Sequence, residues 1–168
     1  MTPRRGERRR QKRSNAAMSN ADAANSANPA ILRETDESVK IAAMAKKLII
    51  VLVNTDPRNG EELGAPFFHA AVAAAMDFEV QVICAATAGR LMKKGVAERL
   101  TVKPGADKTV YDFIRDAHEH GARFYACPAN LDLFEMTEQD LIPECAGLMG
   151  SAAMIAQIMD EDCRVLTY

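Results

Sequence analysis

No apolar run in these 168 residues approaches the ~18 that a membrane-crossing helix needs, so no bilayer span and no membrane partner are expected. The first residues also lack the apolar segment of a secretory signal, which points to the cytoplasm. No CxxC pair occurs. Cys84, Cys127, Cys145 and Cys163 lie at least eighteen residues apart, and in a reducing compartment they read as free or catalytic thiols rather than disulfides. The three histidines, His69, His118 and His120, complete no familiar zinc spacing, so no metal is expected. The glycines form neither a P-loop nor a GxGxxG pattern, and "NTDPRNGEELG" carries Asp56, Glu61 and Glu62, which would repel a phosphate. No nucleotide or other cofactor is expected.

What is present is the composition of one globular domain with an appendage. Apolar residues make up 48% of the chain, enough for a continuous core. The net charge of −2 hides an asymmetry: "MTPRRGERRRQKRS" sets Arg4, Arg5, Arg8, Arg9, Arg10, Lys12 and Arg13 against the single Glu7. Such a run can bind nucleic acid or a membrane surface. Here no aromatic residue interleaves the arginines to stack on bases, and the "NAAMSNADAANSANPA" behind them is poor in large apolar residues. Residues 1–45 are therefore expected to be a disordered, solvated extension without a nucleic-acid role, with Met18 and Met44 as candidate later starts. The folded domain is expected over 46–168.

From Lys46 the pattern changes. "KKLIIVLVN" is a short run rich in Ile and Val, closed by the turn-forming "NTDPRNG", and predicts a buried strand. "ELGAPFFHAAVAAAMDF" predicts a helix with Pro66 in its first turn. "EVQVICAA" predicts a second strand, and "TAGRLMKKGVAERLTV" a short helix or an ordered loop. "DKTVYDFIRDAHEHG" predicts an amphipathic helix with Val110, Phe113, Ile114 and Ala117 on one face and Gly121 as its stop. "ARFYACP" is a third strand and "LDLFEMT" a short helix or turn. Thr137 and Asp140 resemble a capping box, "AGLMGSAAMIAQIMDED" predicts an apolar helix, and "CRVLTY" a closing strand. This alternation calls for an α/β fold, a parallel sheet with helices on both faces.

In such sheets chemistry gathers outside the carboxyl ends of the strands, where Cys84 and Cys127 are both expected. Pro128 disfavours helical geometry at Cys127 and fixes it at the rim. A helix beginning in "ANLDLFEM" would turn its unpaired N–H groups toward the sulfur and favour thiolate. Cysteine is equally a small buried hydrophobe, and that alternative stands for Cys127 and Cys84 alike. Alternation puts Cys84 on one face with Val80 and Val82, opposite Gln81 and Ile83. Cys145 could approach Cys127 or pack beneath it; Cys163, at the start of the last strand, is expected to pack.

The strand "KKLIIVLVNTD", the thiol segment "YACPANLDLFEM" and the following "LIPECAGLMGSAAMIAQIMDEDCRVLTY" resemble, in this order, the DsrE/DsrF-like family. The likeness covers residues 46–168 and is strongest to the sulfur-relay branch of DsrE and TusD and to DsrE-type proteins found beside sulfur-oxidising systems. The resemblance implies a flavodoxin-like single domain and assembly into oligomers. It also implies sulfane sulfur carried as a cysteine persulfide and exchanged with a TusA-like carrier or a rhodanese. Cys127 occupies the place of the family's sulfur-carrying cysteine. Relatives usually have Ser and Met residues after it, where this chain has "PANLDLF". Cys84 stands where many relatives have an aromatic or hydroxyl residue and would be a second sulfur-handling thiol. A thiol oxidoreductase, with Cys127 resolved by Cys84 or Cys145, and a non-catalytic assembly subunit are the rival readings.

Overall fold

The first strand explains the architecture. β1 (Lys47–Leu52) sends Ile50 and Leu52 into one core cluster and Ile49 and Val51 into another, so both faces of the sheet are covered. A strand buried on both sides needs apolar residues at consecutive positions, and that is why its sequence shows a run rather than an alternation. The computed structural model describes residues 46–168 apart from Asn54 and Pro57. The expectation for residues 1–45 lies outside the described residues.

Five strands form one wholly parallel sheet in the order β4-β3-β2-β1-β5. After β1 come α1 (Gly60–Ala75), β2 (Glu79–Cys84), the 3-10 segments Ala86–Met92 and Ala97–Arg99, α2 (Val110–Glu119) and β3 (Arg123–Ala126). The remainder is α3 (Ala129–Leu133), a 3-10 turn at Glu138–Asp140, β4 (Cys145–Leu148), α4 (Ser151–Ile158) and β5 (Cys163–Thr167). The main core lies on the face holding α1 and α2. There Leu63, Phe67 and Ala70 of α1 and Val110, Ile114 and Ala117 of α2 pack with Val80, Val82, Cys84 and Phe124 of the sheet. The smaller cluster on the other face gathers Ile49, Val51, Ile83, Met149 and Cys163 with Met154 and Ile158.

α2 follows its sequence closely. Phe113 packs at the edge of its buried face, and Gly121 ends it with φ of 109°. Its start holds a device that the sequence reading passed over: the Thr109 hydroxyl accepts from the Asp112 N–H at 3.2 Å, while the Asp112 carboxylate accepts from the Thr109 N–H at 2.8 Å. At Thr137 and Asp140, as expected, the Asp140 carboxylate accepts from the Thr137 N–H at 2.8 Å and from its hydroxyl at 2.9 Å, at the head of a 3-10 turn of three residues.

Two expectations need correction. Pro66 is not in the first turn of α1, which begins six residues earlier at Gly60 with Glu61 and Glu62 at its positive end. "AGLMGSAAMIAQIMDED" is not one helix: residues 145–148 pair with β3 as the edge strand β4, and the helix is confined to Ser151–Ile158. Small residues such as Ala146 and Gly147 read as helical or neutral in isolation. The open edge of β3 supplies the pairing that makes them a strand, and Gly147 adopts φ of 138°, a left-handed value that suits glycine. The β3–β4 register slips between Phe124 and Tyr125.

Candidate thiol site

β3 ends at Ala126, and Cys127 is the first residue beyond it, at the carboxyl edge of the sheet and half-buried. Its N–H donates to the carbonyl oxygen of Cys84 at 3.0 Å, so the last parallel bond between β2 and β3 is made by the site residue itself. Pro128 then turns the chain into α3. The expected cradle of N–H groups is smaller than the sequence suggested. α3 has five residues, the Asn130 N–H is spent on the Cys127 carbonyl at 2.9 Å, and the Leu131 N–H on the Pro128 carbonyl at 3.1 Å. The dipole of so short a helix is correspondingly slight.

Cys84 also ends its strand, as expected, yet its side chain is sealed in the main core. Burial pushes this thiol far above its ordinary range, with the nearby Cys145 adding to the effect. A role for its sulfur would require the sheet edge to open; what it offers the site as it stands is its carbonyl. Cys145 is half-buried on edge strand β4, beside Phe124 rather than at the rim; its thiol donates to the Gly147 carbonyl at 3.4 Å, and burial raises its pKa. Cys163 is buried at the amino end of β5, opposite Lys47, where it packs as expected. The structure therefore brings Cys84 and Cys127 together through the backbone, not through their sulfurs.

The 3-10 segment after β2 completes the rim. It opens on Ala86, whose φ of 45° is unfavourable for a residue with a side chain and costs on the order of 1–3 kcal/mol. Arg90 lies over the Phe134 ring at 5.4 Å, and with Lys93, Val96, Leu133 and Glu135 these residues line a shallow cleft beyond α3. In the β1–α1 loop Arg58 is bound bidentately to Asp56, Nε donating to Oδ1 at 3.1 Å and Nη2 to Oδ2 at 2.7 Å, which holds that carboxyl's pKa at about 2. The cation of this loop is thus neutralised by its own neighbour. Among the described residues no three His, Cys, Asp or Glu side chains gather to hold a metal ion, and no helix is long and apolar enough to cross a membrane. The residue that sequence reasoning missed is Asn130, whose buried amide reaches the Cys84 carbonyl at 3.0 Å. Its only local signal is a polar side chain inside "PANLDL", which reads equally well as a surface position.

The sheet is parallel α/β, with the half-exposed Cys127 at its carboxyl edge. The sequence model of the DsrE/DsrF-like family matches residues 47–168, and the chain belongs to that family. Membership gives sulfur relay as the general theme. The fold is shared with the ychN protein from E. coli, at TM-score 0.58 and 15% identity, covering 73% of this chain and 99% of that one. It is shared too with the protein MTH1491 from Methanobacterium thermoautotrophicum, at TM-score 0.53 and 13% identity, over 73% of this chain and 98% of that one. No curated protein matches the chain in sequence.

Proposed function

We propose that this protein is a cytoplasmic sulfane-sulfur carrier or sulfurtransferase in which Cys127 holds the sulfur as a persulfide. The observation that carries the reading is the contrast among the four thiols. Cys127 alone combines partial exposure with a place at the carboxyl edge of the sheet, where Cys84 and Cys163 are buried and Cys145 lies along an edge strand. In the transfer step the Cys127 thiolate attacks the outer sulfur of a donor persulfide. A new S–S bond forms to the Cys127 sulfur, the donor's own S–S bond breaks, and the electron pair leaves with the donor thiolate. The outer sulfur keeps its proton, so no external oxidant or reductant is consumed. The reverse attack by an acceptor thiolate unloads the sulfur.

A TusA-like carrier or a rhodanese is the proposed exchange partner, and a second copy of the chain the proposed structural one. Self-assembly is supported by α4, which has no fully buried residue although it is apolar, and by the edge strand β5, where Val165 and Leu166 are exposed. Mass spectrometry of the intact protein after incubation with polysulfide tests the chemistry. Mass should rise in steps of one sulfur atom, fall back with a reductant, and fail to rise in Cys127→Ser. Absence of loading in the unmodified protein would leave the assembly-subunit reading; loading that persists in Cys127→Ser but vanishes in Cys84→Ser would move the site to Cys84.

A further inference from the structure

Asn130 is 1% exposed, and its side-chain amide donates to the carbonyl oxygen of Cys84 at 3.0 Å. That oxygen already accepts the N–H of Cys127 at 3.0 Å. The second donor is therefore not needed to satisfy a buried carbonyl, while burying a side-chain amide is itself costly. Asn130 also grips Cys127 from the other side, because its main-chain N–H donates to the Cys127 carbonyl at 2.9 Å. Both polar backbone groups of Cys127 are thus fixed, one by Cys84 and one by Asn130, and the Asn130 amide ties these two anchors together.

Gly89 supplies an independent observation. A Cβ built on it would lie 1.5 Å from the Asn130 amide nitrogen and 2.2 Å from the side-chain amide carbon. The φ of Gly89 is not in the left-handed range, so its backbone does not call for glycine. What calls for glycine is the space: the slot on the 3-10 segment is filled by the Asn130 amide, and any side chain at 89 would evict it.

From this we propose that Asn130, admitted by Gly89, is a positioning residue that holds Cys127 in place for attack on sulfane sulfur; the proposal rests on the reading of Cys127 as the sulfur-bearing thiol. The amide acts through the backbone of Cys127 and need not touch the sulfur. It joins the end of β2 and the 3-10 segment that follows it to the turn into α3, which is distant in the chain. A nucleophile held by this triangle attacks along a fixed line, and loss of such placement slows a reaction even when the nucleophile itself is intact.

The test follows polysulfide loading and iodoacetamide alkylation of Cys127 in parallel on the full chain, resolved by peptide mass. Asn130→Ala removes the amide, and Gly89→Ala evicts it with every Asn130 atom still present. Each should slow loading by roughly tenfold, and the double variant should be no slower than Asn130→Ala, because both changes remove one interaction. Asn130→Asp separates the bond from mere packing. Its carboxylate cannot donate to the Cys84 carbonyl at about pH 8, but a buried carboxyl titrates high, and once protonated near pH 5.5 it can. The ratio of its loading rate to the unmodified protein's should therefore rise toward one as pH falls. Loading within about twofold of the unmodified rate in both alanine variants, or a ratio for Asn130→Asp that is flat with pH, would overturn the proposal. If the unmodified protein takes up no sulfur, the sulfur reading falls, and the alkylation series still decides the role of Asn130 by the same comparisons.

Discussion

The carbonyl oxygen of Cys84 accepts the N–H of Cys127 at 3.0 Å, so two cysteines 43 positions apart meet through their backbones while their sulfurs lie in different surroundings. One thiol faces the core and the other the rim. Most of what can be measured about this protein's chemistry follows from that division.

Thiol reactivity should follow burial. With a small alkylating agent under native conditions, Cys127 should be modified first and Cys84 and Cys163 only after denaturant is added. Site-resolved mass spectrometry over a time course checks the order. Modification of Cys84 at the rate of Cys127 would show that the sheet edge opens, and would restore Cys84 as a second sulfur-handling thiol.

Alkaline pH should destabilise the fold. Burial raises the pKa of Cys84 above the ordinary 9.0, and those of Cys145 and Cys163 also move up. A group that holds its proton more tightly when folded contributes fully below its unfolded pKa, and that contribution is lost as pH rises past it toward the folded value. Stability should therefore fall from about pH 9 upward, as denaturant midpoints would show. Cys84→Ala should flatten part of that decline while lowering stability modestly at neutral pH.

The paired bonds of Thr109 and Asp112 at the start of α2 should be worth about 1 kcal/mol, seen as a lower urea midpoint in Thr109→Ala. The Thr109 N–H and hydroxyl, both donating to the Asp112 carboxylate, hold that carboxyl below its ordinary 3.8. This contribution is present above that pH and lost as pH falls through the depressed value, so the deficit of Thr109→Ala should shrink in acid. A deficit unchanged in acid would mean that the hydroxyl acts without the carboxylate.

Assembly should depend on the thinly covered side of the sheet. Ile155 in α4 and Met159 just past its end are 51% and 76% exposed, and Val165 on β5, which pairs with Ile49 on the same face of the sheet, is exposed too. If a second copy covers this surface, Ile155→Glu combined with Val165→Lys should shift sedimentation to a smaller species and leave the fold intact. A monomer in the unmodified protein across the micromolar range would remove the proposal.

Sequence alone determined the elements whose signal is local. β1 declares itself because a strand covered on both faces must be apolar at every position, and α2 because its buried stripe recurs every three or four residues. The parallel α/β arrangement follows from such elements alternating along the chain. Tertiary structure decided what depends on a neighbour. β4 exists because β3 offers an open edge, and no feature of "CAGL" specifies that edge beforehand. Cys84 and Cys127 both stand where the sequence predicts a strand to end, so sequence ranks them nearly alike. Their difference arises because β2 is central and its end is roofed by the main core, whereas Cys127 is the first residue past its strand. Asn130 and Gly89 lie 41 positions apart, and only the packing of α3 against the 3-10 segment makes one the socket of the other. Burial and long-range polar contacts are properties of the assembled chain, which is why the candidate thiols were legible and the residue that holds one of them was not.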